Sequence, residues 1–515
     1  MAALVISGGS VASAADDVVV RTDSGVVRGE VSGGTRVFEG IPYAAPPERW
    51  RDPRPPARWD GVRDATKPGP VCAQLPGEVP DGSTAEDCLY LNVTAPKSGG
   101  RKPVVVWVHG GGYFMGAGAN YDARRFAERG DVVVVTVNYR LGIFGFFGMP
   151  GLAGSGTFGL RDQQAALRWV RANAGAFGGD PRNVTLAGQS AGAMSVCAQL
   201  TSPAAAGLFD RAVLQSGSCE TGWLDNFEYR GEQAATIFQP LSAVAAHGAD
   251  VARELGCADI ACLRGKPVEE LMPQHLAFIQ PAYGTQVLPS YPGDAVRAGR
   301  FHRVPVLSGT TRDEATPWVA AYDNGAPMSE ATYETVLAET FGDRAAEVRA
   351  EYPRERYGSA ALTWAAIVTD RMWACTQYET SRGLAARTDV HQYEFADPSP
   401  PALSPVPPAM PLGAQHASDL WDFFDLGGTT PKFSPAQQRL SDRMIASWSA
   451  FARGGDPGWP RFTAERPHVR SLAPDAIGPV DLAVEHHCGF WAQDRRSWTT
   501  IEAASNRTSP ASAGL

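Results

Sequence analysis

LAGQSAGA, Leu186–Ala193, holds one serine between two close glycines. In a chain with 55 glycines such a pattern also arises by chance, so its flanks must decide. Asn183–Ala187 on one side reads as a strand, and Ala191–Leu200 on the other has the composition of a helix of small residues. A chain that turns from strand to helix this abruptly puts Ser190 in a strained conformation, its hydroxyl thrust out at the carboxyl end of the strand. Side chains at 188 and 192 would clash there, and glycine removes the Cβ that would do so. The helix start adds a partial positive field that favours developing negative charge. A serine in an ordinary turn needs none of this placement, so Ser190 is read as a nucleophile.

Outward from this turn, VVVWVHG (Val104–Gly110) and VVVVTVNYR (Val132–Arg140) are continuous apolar runs, the signature of strands buried on both faces of a mainly parallel sheet. LRDQQAALRWVRANAGAF (Leu160–Phe177) carries apolar residues at helical spacing with charges on the other face. Ala212–Gln215, Val304–Ser308 and His391–Phe395 read as further strands. Strands alternating with helices specify an α/β fold with a large, mostly parallel sheet flanked by helices. Helical stretches around Phe227–Leu255 and Ser329–Ala386 are expected to cap one end of the sheet. Pro398–Pro411, with seven prolines, is an irregular loop, and Ser434–Arg453 is a late amphipathic helix.

The 515 residues are 44% hydrophobic and 20% charged, with a net charge of −9. The absence of clustered lysine and arginine argues against a nucleic-acid partner. No apolar run reaches the roughly 18–20 residues of a membrane span. MAALVISGGSVASAADD opens the chain with small, weakly apolar residues, and Ala12-Ser13-Ala14 matches an A-x-A cleavage site. Residues 1–14 are therefore read as a signal-peptide remnant lacking its basic start, which implies a secreted or extracytoplasmic protein. Eight cysteines suit that compartment. Cys72 and Cys88 bracket a polar Gly/Pro-rich segment, as in a stapled surface loop, although spacing alone fixes no connectivity.

A serine hydroxyl is a weak nucleophile at neutral pH; it needs a base, an acid to orient that base, and donors for the oxyanion. HGGGY (His109–Tyr113) follows the strand Val104–Val108 directly. Its glycines let backbone N–H groups turn inward, so Gly111, Gly112 and the N–H of Ala191 are candidates for a three-donor oxyanion hole.

With these stretches, FEGIPYAAPP (Phe38–Pro47), EDCLYLNV (Glu86–Val93), NYRLGIFGF (Asn138–Phe146), LFDRAVLQSGS (Leu208–Ser218) and FARGGDPGWP (Phe451–Pro460) give the chain its resemblance to the type-B carboxylesterases, the α/β-hydrolase family that includes the cholinesterases. The resemblance runs in order over roughly residues 18–498. It implies the α/β-hydrolase fold and hydrolysis of carboxylic esters through an acyl-enzyme, with no cofactor and no metal. It assigns the acid to Glu314, in VLSGTTRDEATPW, where Ala315 replaces the family's usual glycine and Asp313 is the competitor. It assigns the base to His416, in GAQHASDLWDFF, completing the order Ser…Glu…His. It also suggests disulfides Cys72–Cys88, Cys257–Cys262 and Cys375–Cys488; Cys197 and Cys219 remain, paired or free, with pairing the expectation adopted.

The segment between Cys72 and Cys88 has no aromatic residue, and Gln189 is neutral where cholinesterases carry an acid, so neutral short- to medium-chain or aryl esters are expected over choline esters. Tyr113, Phe114, Gln189, Trp223 and Trp318 are candidate pocket residues. A lipase, lactonase or amidase on the same scaffold is the alternative, and a non-catalytic binding member of the family a more distant one. The domain reading is one catalytic unit over 15–501, with cap insertions at about 219–300 and 320–388 and a disordered tail over 502–515, acting as a monomer or weak oligomer on a small-molecule ester. If the cysteines are fully paired, alkylation without prior reduction leaves the intact mass unchanged. Labelling of most of the eight thiols would point to a reducing compartment.

Overall fold

Val104–Val108 shows how the sheet divides its side chains. Val104, Val106 and Val108 enter one hydrophobic core, and Val105 and Trp107 enter a second on the opposite face. Successive strand residues point to opposite faces, so a run apolar at every position belongs to a sheet covered on both sides. The computed structural model describes residues 18–492; the leader reading over 1–14 and the tail reading over 502–515 fall outside them.

The central sheet has eleven strands among the described residues. In chain order they are β1 (Glu30–Ser32), β2 (Thr35–Pro42), β3 (Tyr90–Pro96), β4 (Lys102–Val108), β5 (Val133–Val137), β6 (Gly179–Gln189), β7 (Arg211–Gln215), β8 (Val306–Thr311), β9 (Val390–Phe395), β10 (Val469–Leu472) and β11 (Gly478–Val480). Across the sheet they lie β11-β10-β9-β8-β7-β6-β4-β5-β3-β2-β1. From β10 to β5 all neighbours are parallel, and the pairs at the two edges are antiparallel. All the parallel strands thus end on one side, where an open α/β sheet carries its binding site.

Helices α1 (Phe158–Asn173) and α2 (Ala191–Thr201) cover one face with Leu167, Val170, Val196 and Leu200. The other face is covered by Met444, Ile445, Trp448 and Phe451 of a later helix, Pro435–Gly454. That helix starts at a reciprocal cap: Ser434 Oγ accepts from the Gln437 N–H, and Gln437 Oε1 accepts from the Ser434 N–H. It stops at Gly455, whose φ of 83° suits glycine. Two motifs quoted above meet in the core. Arg140 of NYRLG and Asp162 of LRDQQ form a buried two-pronged ion pair, both N···O distances 2.7 Å, which ties the loop after β5 to α1.

The cap stretches depart from expectation. Only Leu241–Glu254 of the first is a long helix; turns and two-residue strands occupy the residues before it, and Pro240 sets its start. The second breaks into Glu330–Phe341, Ala345–Glu351, Arg354–Tyr357, Ala360–Val368 and Cys375–Ala385, interrupted at Gly342, Pro353 and Gly358. One π-helical turn, Thr369–Ala374, joins the last two. Disulfides link Cys72–Cys88, Cys197–Cys219, Cys257–Cys262 and Cys375–Cys488.

At the start of α2 the backbone nearly touches β4. A Cβ on Gly192 would lie 2.0 Å from the Val108 carbonyl oxygen, and one on Gly188 would lie 2.5 Å from the Gly192 carbonyl carbon. Gly192→Ala is expected to cost at least about 3 kcal/mol in a urea melt, because backbone has to move. Gly175→Ala, where a Cβ meets nothing within 4 Å, is expected to stay within about 0.5 kcal/mol.

Candidate active site

Ser190 sits between β6 and α2 with φ 56° and ψ −127°, a region that side chains seldom occupy. The strain is held from both sides. The Ser190 N–H donates to the Gln215 carbonyl at 2.9 Å, and the Ser190 carbonyl accepts from Met194 N–H at 3.0 Å. Its hydroxyl makes no hydrogen bond among the described residues, and its side chain is partly exposed.

The glycine turn after β4 lies against this serine. A Cβ on Gly110 would fall 3.1 Å from Ser190 Cβ. Gly111 has φ 92°, and a Cβ there would strike the Met115 carbonyl oxygen at 2.3 Å, so only glycine fits. The N–H groups of Gly111, Gly112 and Ala191 have no hydrogen-bond partner among the described residues. His109 turns away: it is buried, its Nδ1 lies 2.8 Å from the Gly110 carbonyl, and burial pushes it down to about 4.

Glu314 and His416 meet beyond the ends of β8 and β9. Glu314 Oε2 lies 2.5 Å from His416 Nδ1, and the carboxylate is fully buried. Thr310 Oγ1 at 2.6 Å and the Thr311 N–H at 2.8 Å donate to its other oxygen. Burial by itself would raise the Glu314 carboxyl; His416, by charge and hydrogen bond, and then Thr310 overcome it and leave it lowered. An ionised carboxylate only accepts, so the imidazole carries its proton on Nδ1. Asp313 takes a different part. Its Oδ2 accepts from Ala414 N–H at 2.8 Å and pairs with Arg312 at 3.2 Å, pinning the loop that carries His416.

The contact at His416 Nε2 was not legible in the sequence. It lies 3.1 Å from the side-chain amide nitrogen of Gln189, the residue before Ser190. The fold thus brings Glu314, His416 and Gln189 into direct contact, and Ser190 adjoins them through the backbone. Of the candidate pocket residues, Trp318 is partly exposed, with its ring centre 5.2 Å from that of His416. Trp373, absent from the candidates, lies 5.8 Å from His416 and stacks on Trp318 at 5.3 Å. Phe227 packs edge-on against both, and Trp223 edge-on against Phe227. Phe114 is partly exposed, and its carbonyl is bonded to His275 Nε2 at 2.8 Å. Tyr113 is in the packed core, 1% exposed, its hydroxyl 3.3 Å from Ser195 Oγ. In RMWACTQ, Trp373 stands two residues before Cys375.

Asp419, three residues after the histidine, was also missed. It is buried behind the pair and accepts from Gln215 Nε2 at 2.9 Å. Among the described residues, the His, Cys, Asp and Glu side chains close enough to share a metal ion are Glu394, Glu485 and His486. Both nitrogens of His486 already face carboxylates: Nδ1 lies 2.5 Å from Asp370, and Nε2 lies 2.7 Å from Glu394. Burial disfavours the imidazolium, but Asp370 and Glu394 outweigh it and hold the pKa well above its ordinary value, the mark of an ion-pair cluster.

Residues 16–491 match the model of the carboxylesterase family. Para-nitrobenzyl esterase of Bacillus subtilis (strain 168) is 34% identical over 87% of this chain and 93% of its own length. Phenmedipham hydrolase of Pseudarthrobacter oxydans is 34% identical over 91% and 98%. A solved PNB esterase superposes with a TM-score of 0.73 at 31% identity, covering 92% of this chain and 99% of its own. The chain belongs to the carboxylesterase family and is an α/β-hydrolase that hydrolyses carboxylic esters.

Asp419 gives a test of the site's electrostatics. Burial, helped by the Glu314 charge and opposed by Gln215, pushes it up to about 6. The folded value lies above that of an unfolded aspartate, roughly 3.9, so its contribution to stability is full below about pH 4 and is lost as pH rises through about 6. Asp419→Asn keeps an acceptor for Gln215 without the charge. Urea melts are expected to show it more stable than the parent by about 2–3 kcal/mol at pH 8, and little changed at pH 4.

Proposed function

We propose that Ser190 attacks the ester carbonyl while His416 takes its proton at Nε2, and that Glu314 holds the imidazole and stabilises its cation. The observation that carries this reading is the buried Glu314–His416 contact of 2.5 Å beside a strained serine. The N–H groups of Gly111, Gly112 and Ala191 receive the oxyanion; each such donor is worth about 2.7–4 kcal/mol in the transition state. Collapse of the tetrahedral intermediate releases the alcohol, protonated by His416, and leaves the acyl-enzyme. Water then attacks with His416 as base, and the second tetrahedral intermediate expels Ser190 Oγ, which takes the proton back from His416 as the carboxylic acid leaves.

The substrates are neutral esters carrying an aryl or a short- to medium-chain group. Trp318, partly exposed beside His416 and backed by the buried ring of Trp373, offers a flat apolar face that suits an aromatic ring. The name of the para-nitrobenzyl esterase relative points the same way. Four disulfides support an extracytoplasmic site of action.

Ser190→Ala is expected to abolish labelling by an organophosphate and to lower kcat on p-nitrophenyl esters by at least about 10³-fold. Glu314→Gln is expected to lower kcat by about 10⁴-fold with the fold intact. A panel of aryl esters of rising acyl length, an emulsified long-chain ester and an anilide tests the substrate class. Preference for the emulsion would make the enzyme a lipase, and fast anilide cleavage an amidase.

A further inference from the structure

Gln189 is 2% exposed, and its side-chain amide nitrogen lies 3.1 Å from His416 Nε2, the atom that has to accept the serine proton. With the ring proton on Nδ1 against Glu314, Nε2 bears the lone pair, and the amide N–H of Gln189 donates to it. A hydrogen bond given to the neutral ring favours the neutral ring. The other charged groups near this imidazole are Glu314 at 2.5 Å, Asp419 buried behind it, and Asp313, which is engaged by Ala414 and Arg312. Trp318 and Trp373 add uncharged faces.

We propose that Gln189 is a positioning residue that caps His416 Nε2 between turnovers, holding the imidazole neutral and aligned until Ser190 delivers its proton. Nε2 has one lone pair, so the amide N–H has to leave before the serine proton can reach it, and Nε2 then changes from acceptor to donor. The amide oxygen at the other end of the same group is then the fitting partner. Gly110 leaves the space in which the group turns end over end, since a Cβ there would lie 3.0 Å from Gln189 Oε1. The only covalent change is transfer of the Ser190 hydroxyl proton to Nε2; the cap exchanges hydrogen bonds. A carboxylate at 189 would act in the opposite sense, because it favours the imidazolium.

The inference rests on the Ser190–His416 reading above, and the test separates the two. The pH dependence of kcat/KM for a p-nitrophenyl ester is measured for the parent, Gln189→Glu, Gln189→Met, Ser190→Ala and His416→Ala, with circular dichroism and melting curves to show folding. The active form needs a neutral imidazole, so the acid limb is expected to move to higher pH by about 1–2 units in Gln189→Glu, and by less in the same direction in Gln189→Met. A role confined to packing would change stability and leave the limb in place. Limbs that superimpose on the parent's, with Ser190→Ala and His416→Ala inactive, overturn the cap alone. Activity retained in Ser190→Ala overturns the mechanism beneath it. If Gln189→Met does not fold, Gln189→Leu, which also removes the donor without adding a charge, carries the test, because the shift in Gln189→Glu arises from its charge alone.

Discussion

Gly192 has no side chain because the Val108 carbonyl oxygen lies where one would begin, 2.0 Å from an ideal Cβ. This approach of α2 to β4 sets the geometry of the site. It brings the start of the helix close to the glycine turn that follows β4, where a Cβ on Gly110 would lie 3.1 Å from Ser190 Cβ. It also forces Ser190 into a left-handed conformation, which the Gln215 carbonyl and the Met194 N–H hold in place. The strain is local and is sustained by packing on both faces of a long sheet.

Behind the serine, charge is arranged in depth. Glu314 is buried yet lowered, because His416 and then Thr310 outweigh its burial, and the Thr311 N–H also donates to it. Asp419 is buried and raised, because Gln215 is its main partner and Glu314 stands nearby. Two carboxylates a short way apart are thereby driven in opposite directions, and only Glu314 touches the imidazole. Asp313, beside Glu314 in the sequence, serves the backbone of the loop that carries the histidine. The two neighbouring acids thus have separate tasks, one holding the ring and one holding the loop.

The aromatic wall depends on the far end of the chain. Trp373 lies in the π-helical turn Thr369–Ala374, just before the Cys375–Cys488 bridge. The same turn contains Asp370, which is bonded to His486, and His486 in turn reaches Glu394 of β9. A disulfide and a buried ion-pair cluster thus fix the segment that presents Trp373 to His416. Sulfur chemistry and charge remote from the serine in sequence shape its surroundings.

The sequence by itself determined the sheet and the turn. Runs such as VVVWV reveal strands buried on two faces, because a short run that is β-branched and apolar at every position suits a pleated strand covered on both sides, and glycines at 188 and 192 reveal a turn that excludes side chains. Family resemblance carried the assignments of Glu314 and His416, which no local spacing distinguishes from surface residues. The cap helices were overextended, since helical composition continued past Gly342, Pro353 and Gly358, where the backbone breaks. Tertiary structure alone decided which side chains meet across long separations: Gln189 with His416, Trp318 with Trp373, and Asp419 with Gln215. Local pattern reports the backbone path because neighbouring residues share it, whereas a contact between segments far apart in the chain exists only once the sheet has set its strands side by side.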